Sequence, residues 1–181
     1  MNTLSEKILE SCDQQNYYNH KRDILFSESN YINKIYYDSN KLIYTIGYEG
    51  LSIKKFKKIL YDYKIQQVID VRNRAWSVNP TFRKGFLSKV LSNEGISYLN
   101  IRELGAPKQL RNIINENGYE QFFKAYRSYL LSNIKYFEIL MDKIKSARTV
   151  ILCYEKEWQK CHRRIIAEEL IKRGYVVRHI G

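Results

Sequence analysis

Residues 149–180 read TVILCYEKEWQKCHRRIIAEELIKRGYVVRHI. TVILC (149–153) is an unbroken apolar, β-branched run, the pattern of a buried strand. CHRRIIAEELIKRG (161–174) puts Ile165, Ile166, Ala167, Leu170 and Ile171 on one side of a helix and stops at Gly174. YVVRHI (175–180) is a second strand. A strand, a helix and a returning strand in so short a span form a crossover unit, which sets its strands parallel in one sheet.

The same alternation runs back along the chain. LIYTI (42–46) is a short apolar run closed by Gly47, and Ser52 is placed to cap a helix carrying Ile53, Phe56, Ile59 and Leu60 at helical spacing. QVIDV (67–71) is a further buried strand. Thr81 is placed to cap a helix with Phe82, Phe86, Leu87, Val90 and Leu91 on one face and Gly95 as its stop, and ISYLN (96–100) follows as a strand. Residues 106–147 carry no strand signal; GYEQFFKAYRSYLL (118–131) and NIKYFEILMDKI (133–144) read as amphipathic helices. The expected fold is α/β: a mostly parallel five-stranded sheet with helices on both faces, in one domain over 41–181. Residues 1–40 are polar, lack Gly and Pro, and read as an N-terminal extension in which LSEKIL (4–9) can start a short helix.

Composition sets limits on function. The 181 residues are 44% hydrophobic, which argues against wholesale disorder. No apolar run approaches the roughly 18 residues of a membrane span, and the N-terminus lacks the apolar stretch and small-residue site of a secretory signal, so a cytoplasmic location and no membrane partner are expected. Three cysteines, at 12, 153 and 161, are an odd number and argue against a disulfide framework. Lys and Arg number 31 against 19 Asp and Glu, a formal charge of +12. That balance points to a polyanion or phosphorylated partner. The same bias toward Lys, Asn, Ile and Tyr also arises from AT-rich coding sequence without any binding role.

Right-handed crossovers gather every strand-to-helix loop on one edge of the sheet, and ligands of such sheets bind outside the carboxyl ends of the strands. Gly47-Tyr48-Glu49-Gly50 follows the first strand, and Asp70 with Arg72-Asn73-Arg74-Ala75-Trp76-Ser77 the second. Arg102-Glu103-Leu104-Gly105 follows the third, and Cys153-Tyr154-Glu155, then Cys161-His162-Arg163-Arg164, the fourth. Arg72, Arg102 and Arg163 are candidates for holding phosphate or carboxylate, since the guanidinium fork makes paired bonds to both. The N-terminus of the 161–173 helix favours the same guests. Glu155 is the carboxylate best placed to move a proton, with Tyr48 and His162 as orienting groups; holding Arg72 or Arg163 is its alternative role. Asp70 either pairs with a nearby arginine or serves the site. Cys161, beside His162 and Arg163 at a helix start, has the surroundings of a nucleophilic thiol, whereas Cys153 reads as a small core residue. The spacing C-x7-C-H departs from the C-x2–4-C of zinc sites, so no zinc at Cys153, Cys161 and His162 and no other cofactor is expected. GYEG is neither a Walker loop nor a dinucleotide fingerprint. Trp76 and Trp158 fall on edge loops, where they either stack on bases or seal loops onto the core.

TIGYEG (45–50), VIDVR (68–72), FRKGFLSKVLSNEGISYLNIRELGAPKQLR (82–111) and LCYEKEWQKCHRRIIAEEL (152–170) together resemble the domain-of-unknown-function 488 family over roughly residues 42–181. The resemblance implies a compact α/β domain with Gly47, Asp70, Arg72, Ser77, Leu104, Gly105, Pro107, Lys108, Cys153, Glu155, Cys161, His162 and Arg163 at motif positions. Around Ser77 the chain departs from the family, with Ala75-Trp76 in place of a proline before the serine and Val78 in place of a basic residue after it.

Three functions compete. The first is an enzyme acting on a nucleotide or nucleic acid, by hydrolysis or transfer at a sugar or phosphate. Glu155, His162, Tyr48 and Cys161 would do its chemistry; Gly47, Asp70, Arg72, Ser77, Arg102 and Arg163 would bind substrate. The second is a non-catalytic module for nucleic acid or a phosphorylated ligand. The third is a protein-interaction adaptor using residues 1–40 and the 118–146 helices.

Overall fold

The structure, a computed structural model, describes residues 41–181; the expectations for residues 1–40, including the 4–9 helix and Cys12, lie outside the described residues. Five strands form: β1 Leu42–Gly47, β2 Gln67–Asp70, β3 Ser97–Asn100, β4 Thr149–Cys153 and β5 Val176–Ile180. Five helices connect them: α1 Ile53–Asp62, α2 Lys84–Asn93, α3 Lys108–Ser132, α4 Ile134–Lys143 and α5 Arg163–Lys172. The sheet order is β3-β2-β4-β1-β5, with every pairing parallel. Every residue of β2 and β4 is buried, the signature of strands covered on both faces, whereas the edge strands β3 and β5 carry exposed positions.

Strand alternation divides the interior into two cores. Tyr44, Ile46, Val68, Val150 and Leu152 pack with Phe56 and Leu60 of α1 and Leu87 and Leu91 of α2. Ile43, Ile69, Ile151 and Cys153 face the other way, onto Phe122 and Tyr126 of α3, Phe137 and Leu140 of α4, and Ile165, Ile166 and Leu170 of α5. β1 and β2 therefore send their helices to one face and β4 sends its helix to the other. Because β4 lies between β1 and β2, the chain parts to opposite sides on both flanks of its carboxyl end, which makes that end a topological switch point.

Local chemistry explains most element boundaries. Ser52 caps α1, its hydroxyl accepting from the Lys55 amide at 3.2 Å. The helix expected from Thr81 begins at Lys84 instead. Asn79 captures the Thr81 amide, Pro80 opens a 3-10 turn over Pro80–Phe82, and Arg83 is extended with ψ 141° before α2 starts. The helix expected over 118–131 forms immediately after Gly118, whose φ of 79° and ψ of 177° are non-helical; ahead of that kink α3 carries a further helical segment from Lys108 that the sequence reading lacks. Leu110, Ile113 and Ile114, spaced three and one apart, pack its first part against the core.

β5 is tied to β1 by side chains as well as backbone. Thr45 Oγ1 lies 2.6 Å from His179 Nδ1, and Trp158 stacks on the His179 ring at 4.0 Å. Burial, reinforced by the Arg163 charge, pushes His179 down to about 3, so the folded ring is neutral and accepts from Thr45. An unfolded histidine titrates near pH 6.5. Between about pH 6.5 and about pH 3 the unfolded chain thus binds a proton that the folded chain refuses, and stability falls as pH drops through that window. Urea unfolding from about pH 7 to about pH 4 checks this: the His179→Gln variant should lose stability less steeply than wild type. Equal slopes would contradict the burial argument.

Candidate functional site

The chain leaving β4 must pass the end of β1, and Gly47 makes room for it. A Cβ on residue 47 would lie 1.8 Å from the Glu155 carbonyl oxygen, an impossible contact. The loop is then pinned from both sides. Tyr48 and Glu49 amides donate to the Cys153 and Tyr154 carbonyls at 3.2 and 2.9 Å, and the Val71 amide of the β2 loop donates to the Leu152 carbonyl at 3.0 Å. From below, the buried Arg163 guanidinium donates to the Glu155 carbonyl and, at 2.9 Å, to the Lys156 carbonyl. Gly105 makes a second close passage, where a Cβ would stand 1.9 Å from the Asn73 amide nitrogen.

Asp70 ends β2 on the α1/α2 face and forms a buried ion pair with Arg72. Arg72 Nε donates to both carboxylate oxygens at 2.8 and 3.0 Å and Nη2 to Oδ2 at 2.5 Å, while Nη1 donates to Tyr48 Oη at 2.9 Å and to the Phe82 carbonyl at 3.0 Å. Tyr98 on β3 donates its hydroxyl to Asp70 at 2.6 Å. Burial and the adjacent carboxylate push this phenol far up, so it stays a donor. Burial alone would lower Arg72, but Asp70 outweighs it and raises the guanidinium above its ordinary value. Arg72 is only 5% exposed and Asp70 fully buried, so protein groups occupy this fork. Tyr48, stacked on Phe82 at 4.2 Å, belongs to the same cluster.

On the opposite face of the sheet, two thiols, an imidazole and a carboxylate converge. Cys153 closes β4, Glu155 lies in its loop, and Cys161 and His162 lead into α5. Cys153 Sγ stands 3.0 Å from Glu155 Oε2 and 3.7 Å from His162 Nδ1; Cys161 Sγ stands 3.9 Å from the same nitrogen. His162 Nε2 lies 3.1 Å from the Val71 carbonyl. A carbonyl only accepts, so Nε2 carries a proton, and Cys153 Sγ, also 3.9 Å from Nε2, lies beside both ring nitrogens. Tyr126 of α3 packs on the ring at 5.2 Å. Burial pushes the Cys153 thiol up, but the hydrogen bond from Cys161 and the His162 charge outweigh it and bring it to about 7. Burial and the neighbouring Cys153 push Cys161 up. Burial would raise Glu155; His162 outweighs it and holds the carboxyl below its usual range.

Outside both clusters, at the ends of β2 and β3, an open groove of about 420 Å³ is lined by Asn73, Arg74, Ala75, Trp76, Lys84, Asn100 and Arg102. Arg83 lies over the Trp76 ring at 5.2 Å, and the indole is still 60% exposed. Asn100 Nδ2 donates to the Asp70 and Arg72 carbonyls at 2.9 and 3.3 Å, fixing the groove wall. A larger depression of about 510 Å³ lies along α3, where Lys124 is the one ionisable group in its lining.

The sequence-derived candidates thus sort by position. Gly47 gives clearance to the Glu155 loop. Asp70, Arg72 and Tyr48 share one buried cluster, and Glu155, Cys161 and His162 share another with Cys153. Cys153 is buried as a core residue would be, yet its sulfur sits in the ionisable cluster. Ser77 is buried and shapes its own loop, accepting from the Asn79 amide through Oγ and from Arg83 Nε through its carbonyl. Arg163 clamps backbone carbonyls, whereas Arg102 is exposed and lines the groove. Arg74 lies in a loop assigned to the edge but is not singled out there, and Lys84 and Asn100 are groove residues that sequence reasoning misses, their one signal being their place next to such loops.

Residues 52–170 match the family described as Domain of unknown function DUF488. The chain belongs to this family. No curated protein and no solved structure matches the chain. In this DUF488 protein the matched span contains both buried clusters apart from Tyr48, together with the whole lining of the groove.

Removing one member of a buried ion pair strands the other, at a cost of about 3–5 kcal/mol, whereas an exposed i,i+4 pair contributes about 0.3–0.5 kcal/mol. Asp70→Asn should therefore lower urea stability by the larger amount. Asp62→Asn, which breaks the exposed Lys58–Asp62 pair of α1, should shift it by no more than the smaller. Similar small losses in the two variants would refute a structural role for the Asp70–Arg72 pair.

Proposed function

We propose that this DUF488 protein engages the phosphates of a nucleic acid or nucleotide in the groove at the carboxyl ends of β2 and β3. The observation carrying this is the lining itself: Arg74, Lys84 and Arg102 beside an exposed Trp76, with Asn73 and Asn100 between them. Cations that track a backbone, next to an aromatic surface on which a base stacks, are what single strands and nucleotides require. The chain's +12 charge supports attraction of such a ligand over longer range. The free thiols of Cys153 and Cys161 fit a reducing compartment, and we assign the protein to the cytoplasm. Among the described residues no helix is long and apolar enough to cross a membrane.

Binding of a short single-stranded oligonucleotide should weaken with salt. Changing Arg74, Lys84 and Arg102 each to Gln should weaken it further and reduce the slope of log K against log salt by roughly 0.7 for each phosphate no longer neutralised. Trp76→Ala should cost about 1–3 kcal/mol of binding if a base stacks there. An affinity and slope unchanged in the triple variant would overturn the groove assignment.

A second reading makes the protein an enzyme that hydrolyses or transfers at the sugar or phosphate of that ligand. It is favoured by the ionisable cluster at the switch point, which a pure binding module does not need. Glu155, held as a carboxylate and half-buried, is then the proton acceptor, and His162 and Cys161 are its neighbours. Against a panel of nucleotides and oligonucleotides, Glu155→Gln should abolish turnover while leaving oligonucleotide affinity unchanged; turnover equal to wild type would remove Glu155 from the chemistry.

A further inference from the structure

We propose that Cys153, Glu155, Cys161 and His162 form a binding site for one zinc-type divalent transition-metal ion, coordinated by two thiolates, a carboxylate oxygen and imidazole Nδ1. One ligand atom from each of the four lies within 4.8 Å of the other three. A tetrahedral zinc centre, with bonds of about 2.0–2.3 Å, has edges of about 3.3–3.8 Å. The separations here, 3.0 Å for Cys153 to Glu155, 3.7 Å for Cys153 to His162 and 3.9 Å for Cys161 to His162, bracket those edges. The remaining separations reach up to 4.8 Å, so side-chain shifts of up to about 1 Å would close the tetrahedron.

The groups around the donors are those that orient metal ligands. His162 gives its Nε2 proton to the Val71 carbonyl at 3.1 Å, which fixes the ring; Cys153 Sγ stands 3.7 Å from Nδ1 and 3.9 Å from Nε2, and Cys161 Sγ 3.9 Å from Nδ1, so Nδ1 is the nitrogen left to ligate. The Arg163 amide donates to Cys161 Sγ at 3.4 Å, a bond that stabilises a thiolate. The Arg163 guanidinium clamps the Glu155 and Lys156 carbonyls, so the carboxylate is held in place by its own backbone. Charge argues the same way. Two thiols and a carboxylate are packed together at the end of β4, and the nearest guanidinium is directed at carbonyl oxygens. A divalent cation would displace to solvent the thiol protons and the Nδ1 proton of a charged His162, and its two charges would offset two of the three resulting anions. Two sulfurs and an imidazole nitrogen select zinc-type ions over magnesium or calcium.

The ligand spacing also has a physical reason. Cys153 and Glu155 come from a strand end, and Cys161 and His162 from the entry to α5, so the sheet and helix frame the site and no short knuckle is needed. The usual C-x2–4-C rule describes sites built on a knuckle. Nothing in this site uses the groove; a metal-bound Glu155 replaces the free proton acceptor of the second reading, and the metal test has its own readout, independent of oligonucleotide binding or turnover.

The full chain, purified under reductant and stripped with chelator, is titrated with Co2+. One equivalent should bind, with thiolate-to-cobalt charge-transfer absorption in the near ultraviolet and tetrahedral d–d bands in the visible, and Zn2+ should bleach both. Cys161→Ser should lose most of the charge-transfer intensity. Glu155→Gln lies at a half-buried position and should keep the fold, as circular dichroism would check, while weakening cobalt affinity about tenfold or more. A folded, reduced protein without the cobalt–thiolate band would overturn the site, as would equal binding by both variants and wild type. A Cys153–Cys161 disulfide that forms even in excess Zn2+ would overturn it as well.

Discussion

The Glu155 carbonyl occupies the space that a side chain on residue 47 would need. This close passage follows from sheet order. β4 is inserted between β1 and β2, and its chain must exit over the end of β1 toward the helix face opposite to α1. Glycine at 47 removes the obstruction, Arg163 draws the loop down by its carbonyls, and the amides of residues 48, 49 and 71 lock the strand ends. The loop is thereby fixed to within hydrogen-bonding tolerance on both flanks. Only because it is fixed can Glu155 meet Cys153, and His162 meet both thiols, in a cluster whose ligand atoms lie within 4.8 Å of one another.

Charge is used differently at different depths. The buried Asp70–Arg72 pair, completed by Tyr48, Tyr98 and the Phe82 carbonyl, is satisfied internally and sets the shape of the β2 loop. Pairing each of its three nitrogens with a protein acceptor is what makes this buried guanidinium tolerable, and it ties the fork to Asp70, Tyr48 and Phe82. The cations that face outward are Arg74, Lys84 and Arg102, on the rim of the groove that this same loop builds. Arg72 thus acts on the groove at one remove, by holding the segment from which Asn73, Arg74 and Trp76 project.

The sheet was legible in the sequence because a fully covered parallel strand can be a continuous apolar run, as in TVILC, and because five short strand-like segments alternate with helical stripes. The collection of residues at the carboxyl edge was legible for the same topological reason. Helix starts were less so. Thr81 resembles a cap, yet Asn79 and Pro80 divert the chain into a 3-10 turn first, and the 108–117 segment carries only a thin stripe of Leu110, Ile113 and Ile114. The roles of the arginines were illegible. Arg72 and Arg102 both follow strand ends, and nothing in sequence tells a guanidinium folded onto a carboxylate from one facing water. Cys153 reads as a core residue because strand alternation does place it in the core; its contact with Glu155 depends on a loop reversal that sequence does not display.

Amide chemical shifts of the full chain, followed by nuclear magnetic resonance during titration with a short single-stranded oligonucleotide, test most directly whether the carboxyl edge is the working surface. The account predicts that the largest changes fall on residues 73–76, Lys84, Asn100 and Arg102, with the amides of α3 and α4 unmoved. Changes centred on α3 and α4, with the edge loops silent, would contradict it.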